Sequence, residues 1–189
     1  MAYSRPHQTA LKRLPMTLSI NPAATESAIG PKLSEEMNSF ITSGVSITAC
    51  ARDSRLIPSI SRILACTTQH QGALVRLFLV KSQALQLLRD IAANGEIAVV
   101  FSQPSSHKTL QVKGTQAHQT AVLDCELAAI ESGCQGFADN VFLLGFDYSF
   151  SRTFQHYTPA DLTAIEFTLS AVFEQSPGPD AGRAIELNR

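Results

Sequence analysis

Residues 96–117, EIAVVFSQPSSHKTLQVKGTQA, constrain the fold more than any other stretch, because their pattern predicts two strands joined by a tight loop. In the first half, larger apolar side chains alternate with smaller ones, as in a strand of a mostly buried sheet. Pro104 then interrupts the pattern, since proline cannot donate to a ladder. In the second half, Leu110 and Val112 point to one face and polar side chains to the other.

The rest of the chain alternates between the same two periods. A period of two predicts further strands at 45–52, 58–67, 73–80 and 165–173. A helical period, with caps, predicts helices between Ser34 and Gly44, at 83–93 and at 120–133. Residues 137–157 are ambiguous and are assigned a short helix and a loop. Residues 158–161 resemble a capping box, but five strand-period matches after them favour a turn and then a strand.

Length and composition limit the function classes. A chain of 189 residues with 44% hydrophobic and 16% charged residues predicts one globular domain, residues 31–189, after an extended arm, residues 1–30. A formal net charge of −1 argues against general nucleic-acid binding. We expect no membrane segment and a cytoplasmic location, because no run approaches the ~20 apolar residues that a spanning helix needs and no signal peptide is evident.

Cysteines and histidines give no metal motif. The four cysteines, Cys50, Cys66, Cys125 and Cys134, form no CxxC pair, and this usage favours a reducing compartment. The histidines show no i, i+4 pairing, so we expect no metal site.

Three groups of residues are candidates for one binding site. In the first, Lys81 and Ser82 lie where a predicted strand turns into a helix, and free N–H groups at such a start attract phosphate. The alternative is an ordinary capped helix with Ser82 as its N-cap and a surface lysine.

The second group consists of Arg52, Ser61 and Arg62. An arginine in an otherwise apolar strand needs a counter-ion, the surface or an interface, and a phosphate would satisfy its fork of donors. A carboxylate partner such as Glu96 or Asp90 would serve equally well.

The third group is the polar face of the strand at 109–115, which carries Gln111 and Lys113. An amide can hydrogen-bond the edge of a heteroaromatic ring, and a lysine can stabilise negative charge that develops on it. The alternative is a solvated outer face.

The element order, together with three short segments, resembles the pyridoxamine 5'-phosphate oxidase-like family of FMN-binding split barrels. The segments are Arg52–Pro58, Val99–Ser102 and Leu110–Gly114, and a Gln-Ser-Pro-Gly-Pro run follows the last strand. The resemblance covers about residues 40–119. It implies a mainly β (α+β) fold, a six-stranded antiparallel split β-barrel with two or three flanking helices, and a homodimer with FMN between the subunits.

The resemblance also assigns roles. It implies that Ser61 and Arg62 lie along the flavin and its phosphate, that Lys81 and Ser82 lie near the phosphate-binding turn, and that Gln111 lies by the flavin ring. The expected function is then a flavin-dependent oxidoreductase with an unknown small-molecule substrate. A non-catalytic module that holds flavin, deazaflavin or haem is the alternative, and a barrel that serves only as a dimeric scaffold is a third.

Overall fold

The computed structural model describes residues 30–188, which form one mainly antiparallel β-sheet with helices around it. The strands are β1 (Ser46–Arg52), β2 (Pro58–Ile63), β3 (Ala65–Gln69), β4 (Leu74–Val80), β5 (Ile97–Ser102), β6 (Thr109–Thr120), β7 (Leu162–Glu174) and β8 (Ala184–Ile185). The helices are α1 (Glu35–Thr42), α2 (Leu85–Asn94), α3 (Leu127–Phe142) and α4 (Tyr148–Phe154). The predicted arm, residues 1–30, lies outside the described residues except for Gly30.

The strand order shows how the sheet curls. It runs β2-β1-β5-β6-β7-β4-β3, with β8 paired to β7. β2 and β3 stand at opposite ends of this order, yet Leu64 alone separates them in the chain. The Leu64 N–H donates to the Phe78 carbonyl at 2.7 Å, so pairing with β4 begins where pairing with β1 ends. One bent stretch of chain therefore connects the two ends of the sheet.

The sheet has an inner face that forms the main core. Large side chains of β4, β5 and β7 meet there, including Leu77, Phe101 and Phe167, each at most 1% exposed. α2 packs against β1, β2 and β6, and its buried Asp90 accepts a hydrogen bond from Ser59 at 2.6 Å. α1 packs against β3 and contributes Phe40 and Ile41 to the same core.

Part of the outer face is covered as well. α3 packs against β3, and Ile130 lies in a second core cluster with Leu64, Phe78 and Ala164. The outer face of β2, β1, β5, β6 and the second half of β7 carries half-exposed residues instead. We call these two regions the covered face and the open face.

Several predictions are confirmed and several are corrected. The β class and the antiparallel sheet are as expected. Within residues 30–188, however, the sheet has eight strands rather than six, and there are four α-helices rather than two or three. The predicted strand at 58–67 is interrupted at Leu64, where the chain passes from one end of the sheet to the other. The predicted helix at 120–133 begins later, at Leu127, because β6 continues to Thr120 through two irregularities in its pairing.

Helix ends also differ from prediction in one place. Ser34 caps α1 as expected, accepting from the Met37 N–H at 3.2 Å, and Gly95 ends α2 in the left-handed conformation, with φ 67°. Ser82, however, is not the N-cap of α2, because Ala84 occupies that position. Within residues 30–188, no helix combines the length and the apolar character that a membrane span requires.

Candidate functional site

The strand register brings four of the predicted site residues to the open face. Residues directly opposite in an antiparallel pair project to the same face. Arg62 is opposite Thr48, which is opposite Val100, which in turn is opposite Gln111. The adjacent row consists of Ile60, Cys50, Ala98, Lys113 and Ala171. Arg52 lies two residues beyond Cys50 on the same side of β1.

A groove of about 430 Å³ crosses this face. Its lining residues come from β1, β5, β6, β7 and the residue before β5, namely Cys50, Ala51, Arg52, Glu96, Ile97, Ala98, Lys113, Gly114, Thr115 and Ser170. The side chains in the middle of the groove are short, since Cys50 and Ala98 are neighbours on paired strands. Arg52 and Lys113 place positive charge around that floor. The arrangement suits a planar group with an anionic substituent.

The charged side chains that line the groove already make weak interactions with neighbouring groups. Arg52 Nη2 lies 2.6 Å from Glu96 Oε2, and both side chains are about half exposed, so this ion pair is weak. Lys113 Nζ lies 4.9 Å from the centroid of the Phe173 ring, a cation–π contact with a neutral group. An incoming anion would therefore gain most from Lys113 and would compete with Glu96 for Arg52.

Two local features of the backbone shape the groove. The pairing of β6 with β7 shifts between Lys113 and Gly114, which leaves Ser170 as an extra residue that lines the groove. Such bulges re-aim side chains next to binding sites. Gly114 lies over the Phe167 ring, and a Cβ there would be 2.0 Å from Phe167 Cδ2. Only glycine therefore lets β6 lie this close to the core.

Cys50 gives the groove a neutral floor. Burial raises the pKa of its thiol above the ordinary value, because the thiolate loses hydration there. At neutral pH the group is a thiol and contributes a small apolar surface. Cys50 is not among the candidate site residues predicted from the sequence, since the pattern of β1 alone does not show which short residues become neighbours across three strands.

Arg62 lies apart from the groove, at the edge of the open face near α4. Its Nη2 donates to Gln83 Oε1 at 3.3 Å, and its guanidinium carbon lies 4.0 Å from the centroid of Phe154. Burial lowers the pKa of Arg62 from its ordinary value. The suggested carboxylate partners are wrong for this arginine, because Glu96 pairs with Arg52 and Asp90 bonds to Ser59 and Gln86.

The turn at Lys81 and Ser82 is closed by an acid from a distant part of the chain. Both the N–H and the hydroxyl of Ser82 donate to the Asp161 carboxylate, the first at 3.0 Å. These are the donors that a phosphate would use at this turn. Gln83, which bonds Arg62, connects the turn to the edge of the open face. Lys81 is exposed.

Ser61 faces the other way. Its neighbour across β1 is Ala49, and both side chains lie on the inner face, where Ser61 is buried. Its hydroxyl lies 3.4 Å from the Arg62 carbonyl. The structure therefore gathers Arg52 and Lys113 in one groove, places Gln111 in the adjacent row, and separates Arg62, Lys81 and Ser82 from them toward α4.

Comparisons with known proteins identify similar folds only. No family model and no curated protein matches the chain. Among solved structures, an F420 reductase is 16% identical, covers 74% of this chain and 98% of its own, and has a TM-score of 0.48. A Clostridium acetobutylicum protein of the pyridoxinephosphate oxidase family is 18% identical over 72% of this chain and 83% of its own, with a TM-score of 0.45. HutZ, a heme storage protein from Vibrio cholerae, is 14% identical over 76% of this chain and 94% of its own, with a TM-score of 0.41.

Proposed function

We propose that the chain binds FMN in the groove of the open face, as one subunit of a homodimer, and that it is a flavin-dependent oxidoreductase for a small substrate. One observation carries the proposal: Arg52 and Lys113 lie around one groove whose floor is made of short, neutral side chains. Two neighbouring strands are about 4.8 Å apart, so the floor from β1 to β6 is roughly 10 Å wide, enough for a fused ring system. The resemblance of the sequence to FMN-binding split barrels supports the choice of ligand.

Each residue has a distinct task in this proposal. Lys113 would favour negative charge on the ring, since its present partner is a neutral aromatic face. Gln111, in the adjacent row, would hydrogen-bond a heteroatom at the ring edge. Cys50 and Ala98 would support the ring without charge. When bound, the flavin supplies hydride chemistry, and the protein orients and tunes it.

Arg52 and Glu96 would set the ligand charge that the groove accepts. With Lys113, the three charged side chains of the lining sum to a formal charge of +1. A phosphate would draw Arg52 away from Glu96, an exchange that is inexpensive because the pair is solvated. We therefore place the phosphate near Arg52 rather than at Ser82, whose donors are already bonded to Asp161.

FMN titration of the dialysed protein tests the proposal. We expect quenched flavin fluorescence and a saturable absorbance change with one FMN per chain. Lys113→Gln should weaken binding by about 10- to 100-fold, since a hydrogen bond to a charged group contributes about 1.5–3 kcal/mol. Lys108→Gln is the matched control, because Lys108 lies in the β5–β6 loop and pairs with Glu36. Absence of FMN uptake, or equal affinity in the two variants, would overturn the proposal.

The second subunit is expected on the open face, because that face exposes apolar surface. Ile60 is 65% exposed and lies in the same row as Cys50 and Ala98. We expect Ile60→Glu to convert a dimer to a monomer in size-exclusion chromatography with light scattering and to lower FMN content. Leu85→Glu, on α2 and 49% exposed, is the control that should stay dimeric. If the wild-type protein is a monomer and still binds FMN, the proposed dimer is wrong, whereas FMN binding in the groove stands.

Anaerobic mixing with NADH or NADPH separates the enzyme from a non-catalytic module. Bleaching of the flavin absorbance supports the oxidoreductase. Bound flavin that keeps its absorbance with both donors supports the module. Glu96 and Lys113 line the groove, and they would be the side chains that hold or move a proton for the substrate.

A further inference from the structure

A second cavity, of about 380 Å³, lies between α3 and α4, away from the groove. α3 lines it with Glu131, Cys134, Gln135 and Ala138. The opposite wall consists of Tyr148, Ser151 and Arg152 on α4, with Gln155 directly after the helix. Both sets follow the i, i+3, i+4, i+7 spacing of one helix face. The two helices therefore face each other across the cavity. Facing stripes of packed helices are normally apolar and interdigitate, whereas most of these side chains are polar.

Several apolar side chains next to this seam are exposed. Phe142, Leu143, Leu144 and Phe146, at the end of α3 and in the connection to α4, are all about half exposed or more. On α4, Phe150 and Phe154 are also exposed and stack on each other, with ring centroids 5.6 Å apart. The two helices also contact each other through the stacked rings of Phe137 and Phe154, whose centroids are 5.7 Å apart. The seam beside this contact is polar and open, which leaves room for a ligand between α3 and α4.

Ser151 supplies an independent sign of a ligand. It is 2% exposed, it lines the cavity, and its Oγ has no hydrogen-bond partner among the described residues. A buried hydroxyl without a partner is costly, so native structures rarely keep one. Gln155, one turn further on, is 7% exposed and lines the same cavity.

The charges around the cavity favour an anion. Arg152 forms no ion pair with any described carboxylate, and His156 adds a ring nitrogen to the same wall. Glu131 is the one acid in the lining. Arg62, although outside the lining, lies close enough to Cys134 that its charge opposes the effect of burial on that thiol's pKa. The Gln135 amide and the Tyr148 hydroxyl already donate to Asp139, so the Arg152 guanidinium and the Ser151 hydroxyl are the donors that an anion would meet.

We infer that the seam between α3 and α4 is a second ligand site, for a small organic oxyanion. Its carboxylate or phosphate accepts from the Ser151 hydroxyl, the Gln155 amide and the Arg152 guanidinium. Tyr148 and Tyr157 flank the organic part. The volume falls in the range of small-molecule pockets, about 300–1,000 Å³, and exceeds what an inorganic ion would fill. This inference is independent of flavin binding.

Calorimetric titration with three probes of one shape tests the inference. Benzoate and phenyl phosphate carry the two oxyanions, and benzamide is the neutral match to benzoate. We expect saturable heat from benzoate, from phenyl phosphate or from both, with the stronger binder identifying the head group. Benzamide should bind at least tenfold more weakly than the stronger of the two. Equal binding of benzamide, or no heat from either oxyanion at millimolar concentration, would overturn the inference.

Two variants test whether the measured heat comes from binding in the seam. Ser151→Ala should weaken the oxyanion at least tenfold and leave the Tm equal to or above that of the parent, because the lost hydroxyl has no partner in the protein. Arg152→Gln should weaken it similarly. Thr153→Ala is the control, since Thr153 is exposed on α4 and its hydroxyl donates only to the Ser149 carbonyl. FMN affinity should be unchanged in all three. Unaltered oxyanion binding in Ser151→Ala and Arg152→Gln, or a Ser151→Ala protein whose Tm falls with its affinity, would contradict a ligand-binding role.

Discussion

The covered and open faces of the sheet treat positive charge in opposite ways. On the covered face, Arg76 is 7% exposed and has every donor occupied. Its five N–H groups bond to both oxygens of Glu126 at 2.7 and 2.9 Å, to Glu166 at 3.1 Å, and to Thr120 and the Ala121 carbonyl at 3.0 Å each. On the open face, Lys113 contacts a neutral ring.

This difference separates a structural cation from a binding cation. Arg76 connects β4 and β7 to the segment before α3, and an added anion would find none of its donors free. Lys113 and, at the edge of the open face, Arg62 rest on Phe173 and Phe154, so a bound anion would add an interaction rather than replace one. The same residue types therefore support stability on one face and recognition on the other.

Arg76→Gln should have the largest effect. It leaves Glu126 and Glu166 largely buried without their counter-ion, which costs about 3–5 kcal/mol for a broken buried pair. Urea unfolding measures this loss. Arg89→Gln, an exposed site on α2, should change the free energy of unfolding by less than about 0.5 kcal/mol. Equal losses in the two variants would mean that the buried network carries no special stability.

Gly133→Ala tests how closely the covered face is packed. A Cβ at Gly133 would lie 2.5 Å from Ala65 Cβ and 3.2 Å from Ala65 Cα, so α3 must move away from β3. We expect a loss of about 1–3 kcal/mol from overpacking, although alanine favours the helix by about 1 kcal/mol. Thermal and urea unfolding measure it against Ser132→Ala, an exposed neighbour. FMN affinity should not change, since the open face lies elsewhere; a loss of FMN binding would show that the two faces are coupled.

The regular strands were predictable from the sequence because burial of one face imposes a period of two. The strands at 45–52 and 73–80 are confirmed to within one residue as β1 and β4. The choice of strand over helix after residue 161 is also confirmed, since Ile165, Phe167 and Leu169 all lie in the core beneath β7.

The irregular parts were not predictable, because their causes are contacts between distant residues. β6 keeps pairing to Thr120 through two irregularities, one with Gln116 at φ 57°, and these hide the alternation that a strand normally shows. No feature of the sequence near Leu64 marks the point where the chain stops pairing with β1 and begins to pair with β4.

The candidate site also has a part that could be predicted from the sequence and a part that could not. Arg52, Gln111 and Lys113 could be proposed from charge and strand pattern, but the groove floor depends on Cys50 and Ala98 meeting across two strands. The bond between Ser82 and Asp161 joins residues 79 positions apart, so no local pattern shows that the donors of this turn are already used. Which donors stay free is a property of the fold and not of any single motif.

The smallest effect is expected in the reactivity of the cysteine thiols. Their labelling compares the open face with the covered face directly. Burial raises the pKa of Cys134, on α3, to about 11, and raises that of Cys50 in the groove. Because the thiolate is the nucleophile, iodoacetamide should label exposed Cys125 first, with Cys50 and Cys134 reacting appreciably only at higher pH. FMN should slow the labelling of Cys50 alone, which mass spectrometry of peptides would show.

The raised pKa of Cys134 also fixes the sign of a change in stability. A folded-state pKa above the ordinary 9.0 means that folding favours the protonated thiol, so its contribution is fully present below pH 9 and declines as pH rises toward about 11. Cys134→Ala should flatten this part of the curve of unfolding free energy against pH, and Cys125→Ala should not. If FMN protected Cys134 as strongly as Cys50, the ligand would bind across both faces, and the separation between a structural face and a binding face would be wrong.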